Sequence, residues 1–210
     1  MREPVPEPGI AGRLSTVADD LDDIGRSWAL VGALALGVHA RPRATLDADI
    51  ALFVRDDTDA NHFAKALQDR GYVVLEAGVH LSLGHFTSVR VVSPVRAGGR
   101  LVVDFMFDAT GIEAEIVASA ERLAVTRDLK VPVATRGHLI AMKVLSQGED
   151  RPQDSVDLQQ LLQRATAEDL DEARTALRLI REREHDGGKD LLGALESAVA
   201  HLGPDGPSGE

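Results

Sequence analysis

The 210-residue sequence contains no cysteine, which excludes disulfides, thiolate catalysis and cysteine-ligated zinc. Aromatic residues make up only 3%, so a core has to be built from Leu, Val, Ile and Ala. No run of 18 apolar residues occurs, since the strongest candidate, from Trp28 to His39, ends at Arg41; no membrane-spanning helix is expected. The first 26 residues carry acids and prolines without a basic start and an apolar run. No signal peptide is read there, and a cytoplasmic protein is the expectation. A Walker P-loop, a Gly-x-Gly-x-x-Gly and a His-Glu-x-x-His are also missing, which leaves kinase-like, dinucleotide and zinc-hydrolase chemistry without an anchor. Positive charge is scarce: 23 Lys and Arg against 34 Asp and Glu give a formal net charge of −11. That balance argues against a protein that coats nucleic acid through a basic surface. A local basic segment survives, because Gly84 to Val103 contains Arg90, Arg96 and Arg100 and no acid.

What is present fits a globular chain with a sizeable core. Helical spacing of apolar residues predicts helices over Ile10–Ile24, about Trp28–His39, and Asp57–Arg70. Strands are predicted over Asp47–Val54 and Tyr72–Leu75. Two further strands, Thr87–Val95 and Arg100–Phe107, are rich in β-branched residues and joined by an Arg96-Ala97-Gly98-Gly99 turn. Beyond Pro132 the pattern turns helical, over Arg136–Leu145, Pro152–Arg164, Glu168–Arg183 and Lys189–Leu202. The expected fold class is α+β: a mixed, largely antiparallel sheet with helices over residues 10–130, then a helical bundle over 131–203. Residues 1–9 and 204–210 read as flexible tails.

The densest chemical signal lies between Trp28 and Val54. A small-residue helix opens at Gly32-Ala33, a loop carries Arg41, Arg43 and Thr45, and a strand carries Asp47 and Asp49. Side chains two apart in a strand share a face about 7 Å apart, so both carboxylates project together among Ala48, Ile50 and Leu52. Paired carboxylates suit a hard divalent cation such as Mg²⁺. Asp104, mid-strand between Val103 and Phe105, offers a third carboxylate on the face opposite those apolar neighbours. Two Mg²⁺ ions about 3.5–4 Å apart clamp an in-line displacement at phosphorus, and a helix start supplies free backbone N–H groups for a triphosphate.

These residues resemble the nucleotidyltransferase superfamily built on the DNA polymerase β-type fold. Its pattern is an apolar residue, Gly-Gly or Gly-Ser, a spacer, then Asp-x-Asp between apolar positions. Here that is Val31-Gly32-Ala33, then Asp47-Ala48-Asp49-Ile50, with Asp104 as the third acid and Arg43-Ala44-Thr45 as the lead-in. The segment 138–162 resembles the AbiEii-type branch, in which a helix bearing a Lys is followed by Arg-Pro-x-Asp-x-x-Asp-Leu. The matching residues are Lys143, Arg151, Pro152, Asp154, Asp157 and Leu158. One departure is Ala33, which lacks the hydroxyl that a serine would offer a triphosphate.

The resemblance implies an NTP-dependent enzyme in which Asp47, Asp49 and Asp104 bind Mg²⁺. Gly32, Ala33, Arg43, Thr45, Lys143 and Asp154 would contact the nucleotide, with Arg151 and Asp157 in support. It further implies a toxin of a toxin–antitoxin pair acting on tRNA, with a cognate antitoxin as partner. Two other readings stand beside it: a small-molecule nucleotidyltransferase of the aminoglycoside or lincosamide type, and a non-catalytic partner-binding module. Plainer roles also stand. Asp104 also reads as a solvent-facing strand residue. Lys143 can snorkel from an amphipathic helix or need a buried anionic partner. Asp154, near a Pro at the first helical turn, suits the helix dipole, and with Asp157 it can pair with Lys143 or Arg151 to lock the helical half. Among the histidines, His39 reads as a helix cap, His138 and His185 as surface residues, and His80 and His85 have no assigned role.

Overall fold

A computed structural model describes residues 9–79, 84–96, 99–148 and 150–202. The expected flexible tails, His80 and the middle of the Arg96–Gly99 turn fall outside the described residues, save Gly9 at the edge of the first tail. In chain order the elements are α1 (Ile10–Ile24), β1 (Trp28–Val31), α2 (Gly32–His39), β2 (Asp47–Leu52), α3 (Asp57–Asp69), β3 (Val73–Val79), β4 (Phe86–Val92) and β5 (Val102–Met106). They continue with α4 (Glu113–Ser119), β6 (Glu121–Thr126), β7 (Leu129–Val133), α5 (Arg136–Ser146), α6 (Pro152–Leu162), α7 (Ala167–Glu182) and α8 (Leu191–Ala200). The strands form one seven-stranded sheet in the order β3-β4-β5-β2-β1-β7-β6. It is mixed and largely antiparallel, with parallel pairing only of β2 with β5 and of β1 with β7.

The helix expected over Trp28–His39 is two elements. Trp28 to Val31 are buried without interruption and pair with β2 on one side and β7 on the other. A strand covered on both faces carries a continuous apolar run, which periodicity alone does not separate from a buried helix. The helix begins only at Gly32, whose φ of 62° breaks the extended backbone. Elsewhere local chemistry sets the boundaries. Asp56 caps α3 by accepting from the Asp59 N–H at 2.8 Å, and Thr166 and Asp169 form a capping box on α7. Pro152 opens α6. The α4 helix and the β6–β7 hairpin carry no expectation from sequence, and β7 takes the sheet through Val133.

Val103 and Phe105 of β5 are fully buried, and Phe105 meets Phe63 of α3 edge-on at 5.1 Å between ring centroids. Because one face of β5 is occupied by this core, its alternate residues Asp104 and Met106 must emerge on the other face. On that side α2 connects the two parts of the molecule, touching β2 as well as α5 and α6.

Candidate active site

Strand register assembles a charged row. Val31 of β1 pairs with Asp49 of β2, Asp49 with Asp104 of β5, Asp104 with Arg90 of β4, and Arg90 with Glu76 of β3. In an aligned row of paired residues the side chains leave the sheet on one face, so Asp49, Asp104, Arg90 and Glu76 stand side by side. Asp47 precedes them on the same face of β2.

Asp49 packs into the corner where β1 becomes α2. A Cβ placed on Gly32 would lie 1.8 Å from Asp49 Oδ2, so only glycine fits, and its left-handed backbone independently requires the same residue. The Ala33 backbone N–H hydrogen-bonds to the Asp49 carboxylate. Burial and the neighbouring charges of Asp47 and Asp104 outweigh that bond and push the Asp49 carboxyl up to about 6. Burial also raises Asp104, against the opposing pull of Arg90. Thr45 Oγ1 donates to Asp47 Oδ1 at 2.6 Å, so the lead-in threonine fixes the first carboxylate. The Arg90 guanidinium spans two acids, with Nη1 2.9 Å from Asp104 Oδ2 and Nη2 3.4 Å from Asp47 Oδ2.

The helical part supplies the opposite wall. Lys143 Nζ lies 2.6 Å from Asp154 Oδ1 and 2.9 Å from Asp157 Oδ2, with the lysine side chain 13% exposed and that of Asp157 fully buried. Lys143 therefore does not snorkel to solvent: the buried cation has two anionic partners. Gln153 donates to the other oxygen of Asp157 at 2.8 Å, and Arg43 reaches the same carboxylate at 3.4 Å from the β2 side. Arg151, exposed, lies 3.8 Å from Asp154.

Between the walls is a cleft of about 440 Å³ lined by Gly32, Asp49, Met106, Lys143, Arg151 and Asp154 among others, a size that suits a small ligand. The structure thus brings Gly32, Asp49, Lys143, Asp154 and Arg151 to one cavity, with Asp104 in register beside Asp49. Thr45 is bound to Asp47, and Arg43 is drawn to Asp157. A larger cavity of about 700 Å³ opens beyond the other ends of β2 and β5, among Phe53, His85, Phe107, Asp108 and Arg183. None of the three aspartates lines it, so volume alone does not mark the site.

Three carboxylates on adjacent strands are hard oxygen donors of the kind Mg²⁺ takes, and the guanidinium between Asp47 and Asp104 shows that the row accepts a cation. By donor chemistry the residues fit a divalent metal. Among the described residues no three His, Asp or Glu side chains converge on one metal-sized point. Each acid is engaged separately: Asp47 by Thr45 and Arg90, Asp104 by Arg90, and Asp49 by the Gly32–Ala33 corner.

Sequence reasoning missed Arg90 and Glu76 as members of the row. Arg90 figured only in the acid-free segment, and nothing local in the chain places it opposite Asp104. That segment does not form one basic face, since Arg90 pairs with the aspartates while Arg96 pairs with Asp20 at 3.0 Å. Two histidines differ from expectation. The side chains of His138 and His185 are buried, each 6% exposed, against Glu172 at 3.3 Å and Asp108 at 3.4 Å respectively. Packing of α5 on α7 encloses the first, which a helical wheel of α5 alone does not show. His39 hydrogen-bonds the Ala134 carbonyl at 2.7 Å.

A family model described as "Nucleotidyl transferase AbiEii toxin, Type IV TA system" matches residues 18–205, and so takes in both the sheet and the helical part. No curated protein matches the sequence. Among solved structures, an antigenic nucleotidyltransferase-like protein from Paracoccidioides brasiliensis is 19% identical, with 94% of this chain and 100% of that chain covered and a TM-score of 0.50. The lincomycin-bound lincosamide antibiotic adenylyltransferase LnuA is 15% identical over 71% of this chain and 94% of that one, at a TM-score of 0.42. At 19% identity the first likeness speaks to the fold alone. Among the described residues no helix is long and apolar enough to cross a membrane.

Proposed function

The chain belongs to the AbiEii nucleotidyl transferase family, whose model spans residues 18–205, and we propose that it moves a nucleoside monophosphate from an NTP to an acceptor hydroxyl with release of pyrophosphate. One observation carries this reading: Gly32, Asp49 and Lys143 line a single cleft while Asp104 stands in register beside Asp49. Asp47, Asp49 and Asp104 would hold Mg²⁺, two ions in the reading favoured here, and bound metal would neutralise the phosphate oxygens.

The chain's own residues divide the remaining work. The start of α2 at Gly32–Ala33 would turn backbone N–H groups toward the triphosphate, the Ala33 N–H being shared with Asp49, and the absent Cβ lets Asp49 approach the backbone. Lys143, anchored by Asp154 and Asp157, presents a fixed ammonium from the far wall instead of a flexible one. Arg43 supports that anchor through Asp157, and Thr45 orients Asp47. Asp104 would accept the acceptor hydroxyl's proton.

The acceptor favoured here is tRNA, on the likeness of the Lys143–Asp157 block to AbiEii toxins, with a cognate antitoxin as partner. A small cationic acceptor is favoured by a separate observation: in a chain of net charge −11, Arg90 and Arg96 of the acid-free segment are both paired with acids. Incubation with each labelled NTP, Mg²⁺ and either total tRNA or an aminoglycoside panel separates them. Label on tRNA that weakens steeply with salt supports the first, and label on a drug the second. Asp49→Asn should abolish labelling while leaving the fold intact, because it relieves repulsion within the acidic row. Undiminished transfer by that variant would sink the mechanism.

A further inference from the structure

Arg90 is the one cation in a row otherwise made of Asp49, Asp104 and Glu76, and it is not held passively. Its guanidinium contacts Asp104 at 2.9 Å and Asp47 at 3.4 Å, while its side chain remains 41% exposed. An exposed arginine on a strand keeps much of its rotamer freedom, and pairs of this kind are weak enough to exchange partners. Its register neighbour on the far side, Glu76 of β3, forms no salt bridge among the described residues. The guanidinium therefore has carboxylates on both sides, one pair engaged and one acid open.

We infer that Arg90 is a positioning residue that acts as an internal countercation. It holds Asp47 and Asp104 together when no metal is bound, competes with the metal for their oxygens, and passes to Glu76 when the metal enters. This rests on the reading of Asp47 and Asp104 as metal ligands. The physical reason is charge: two carboxylates at diagonal positions on parallel neighbouring strands repel, and a guanidinium between them relieves the repulsion. A divalent ion relieves it better, but only after Arg90 has left the oxygens it needs. The competition would set the metal concentration at which the enzyme becomes loaded.

The test is binding of Mn²⁺ alone to the full chain, followed by electron paramagnetic resonance. Arg90→Ala should tighten Mn²⁺ binding roughly threefold or more, since an exposed ion pair is worth a few-fold in an equilibrium constant. Arg90→Lys should fall between it and the wild type, because a single ammonium does not bridge two carboxylates as a guanidinium does. A purely structural arginine would lower the melting temperature without raising metal affinity. Glu76→Gln should weaken Mn²⁺ binding in the wild type and much less in the Arg90→Ala background, a coupling that distinguishes handover from simple loss of charge. Unchanged or weaker binding by Arg90→Ala overturns the competition, and equal effects of Glu76→Gln in both backgrounds overturn the handover. Asp104→Asn separates the underlying reading. If it leaves Mn²⁺ binding intact, the metal site itself is wrong; if it weakens binding while Arg90→Ala has no effect, only the role of Arg90 is wrong.

Discussion

Lys143 is where a structural role and the proposed nucleotide contact meet, and replacing it with methionine tells them apart. The substitution keeps most of the unbranched side chain and removes the ammonium that lies 2.6 Å from Asp154 and 2.9 Å from Asp157. Removing one partner of a buried ion pair costs about 3–5 kcal/mol, because the remaining charge is stranded. Here the cost falls toward roughly 2–3 kcal/mol, since Asp157 keeps Gln153 at 2.8 Å and Arg43 at 3.4 Å. For a chain of this length that is a fall in melting temperature of about 5–10 °C. The loss should depend on pH. Burial raises the Asp157 carboxyl, but the bonds from Gln153 and Lys143 and the charges of Lys143 and Arg43 outweigh burial and hold it below the usual range. A depressed carboxyl stabilises the fold above its unfolded pKa and loses that contribution as pH falls through the folded value. The destabilisation by Lys143→Met should therefore be largest at neutral pH and shrink below about pH 4. Calorimetry across that range measures it, and the triple change with Asp154→Asn and Asp157→Asn should recover at least half of the loss. A melting temperature unmoved at pH 7, or a loss that does not shrink on acidification, would refute the anchoring argument and leave Lys143 as a substrate contact alone.

Two further outcomes test other parts of the structure. Gly32→Ala should cost about 1–2 kcal/mol for the left-handed backbone alone, and more because its Cβ would meet the Asp49 carboxylate; unchanged melting together with unchanged NMP transfer would show that the corner is not as drawn. Arg26 holds Asp59 with bonds of 2.7 and 3.0 Å and keeps its carboxyl well below the usual range. Arg26→Ala should accordingly destabilise most above about pH 4 and least in acid, and a pH-independent difference in chemical denaturation would contradict it.

Much of the site was legible because its parts are local. Asp47 and Asp49 declare a shared strand face through their spacing of two, and Gly32-Ala33 marks a helix start among small residues. The Lys143 helix and the Pro152 helix carry their own periodicity, and the second opens on a proline. The identity of β1 was not legible, since Trp28 to Val31 is apolar throughout and only its pairing with β2 and β7 makes it a strand. Nor were β6 and β7, whose short, half-exposed runs give weak alternation. His138 and His185 were misplaced because contacts distant in the chain bury them, α7 enclosing the first and Asp108 and Gly111 lying against the second.

Residue type and short-range spacing were enough to mark the three carboxylates, the glycine at a helix start, the lysine block and the helical second half. The tertiary structure alone decided which partners these groups take. Arg90 meets Asp104 only through the register of β4 on β5, and Lys143 meets Asp157 only through the packing of α5 on α6. Arg43 reaches Asp157 across 114 positions of chain. Those pairings follow from non-local contacts whose free energy arises when strands and helices close on a common core, and no window of local sequence contains them.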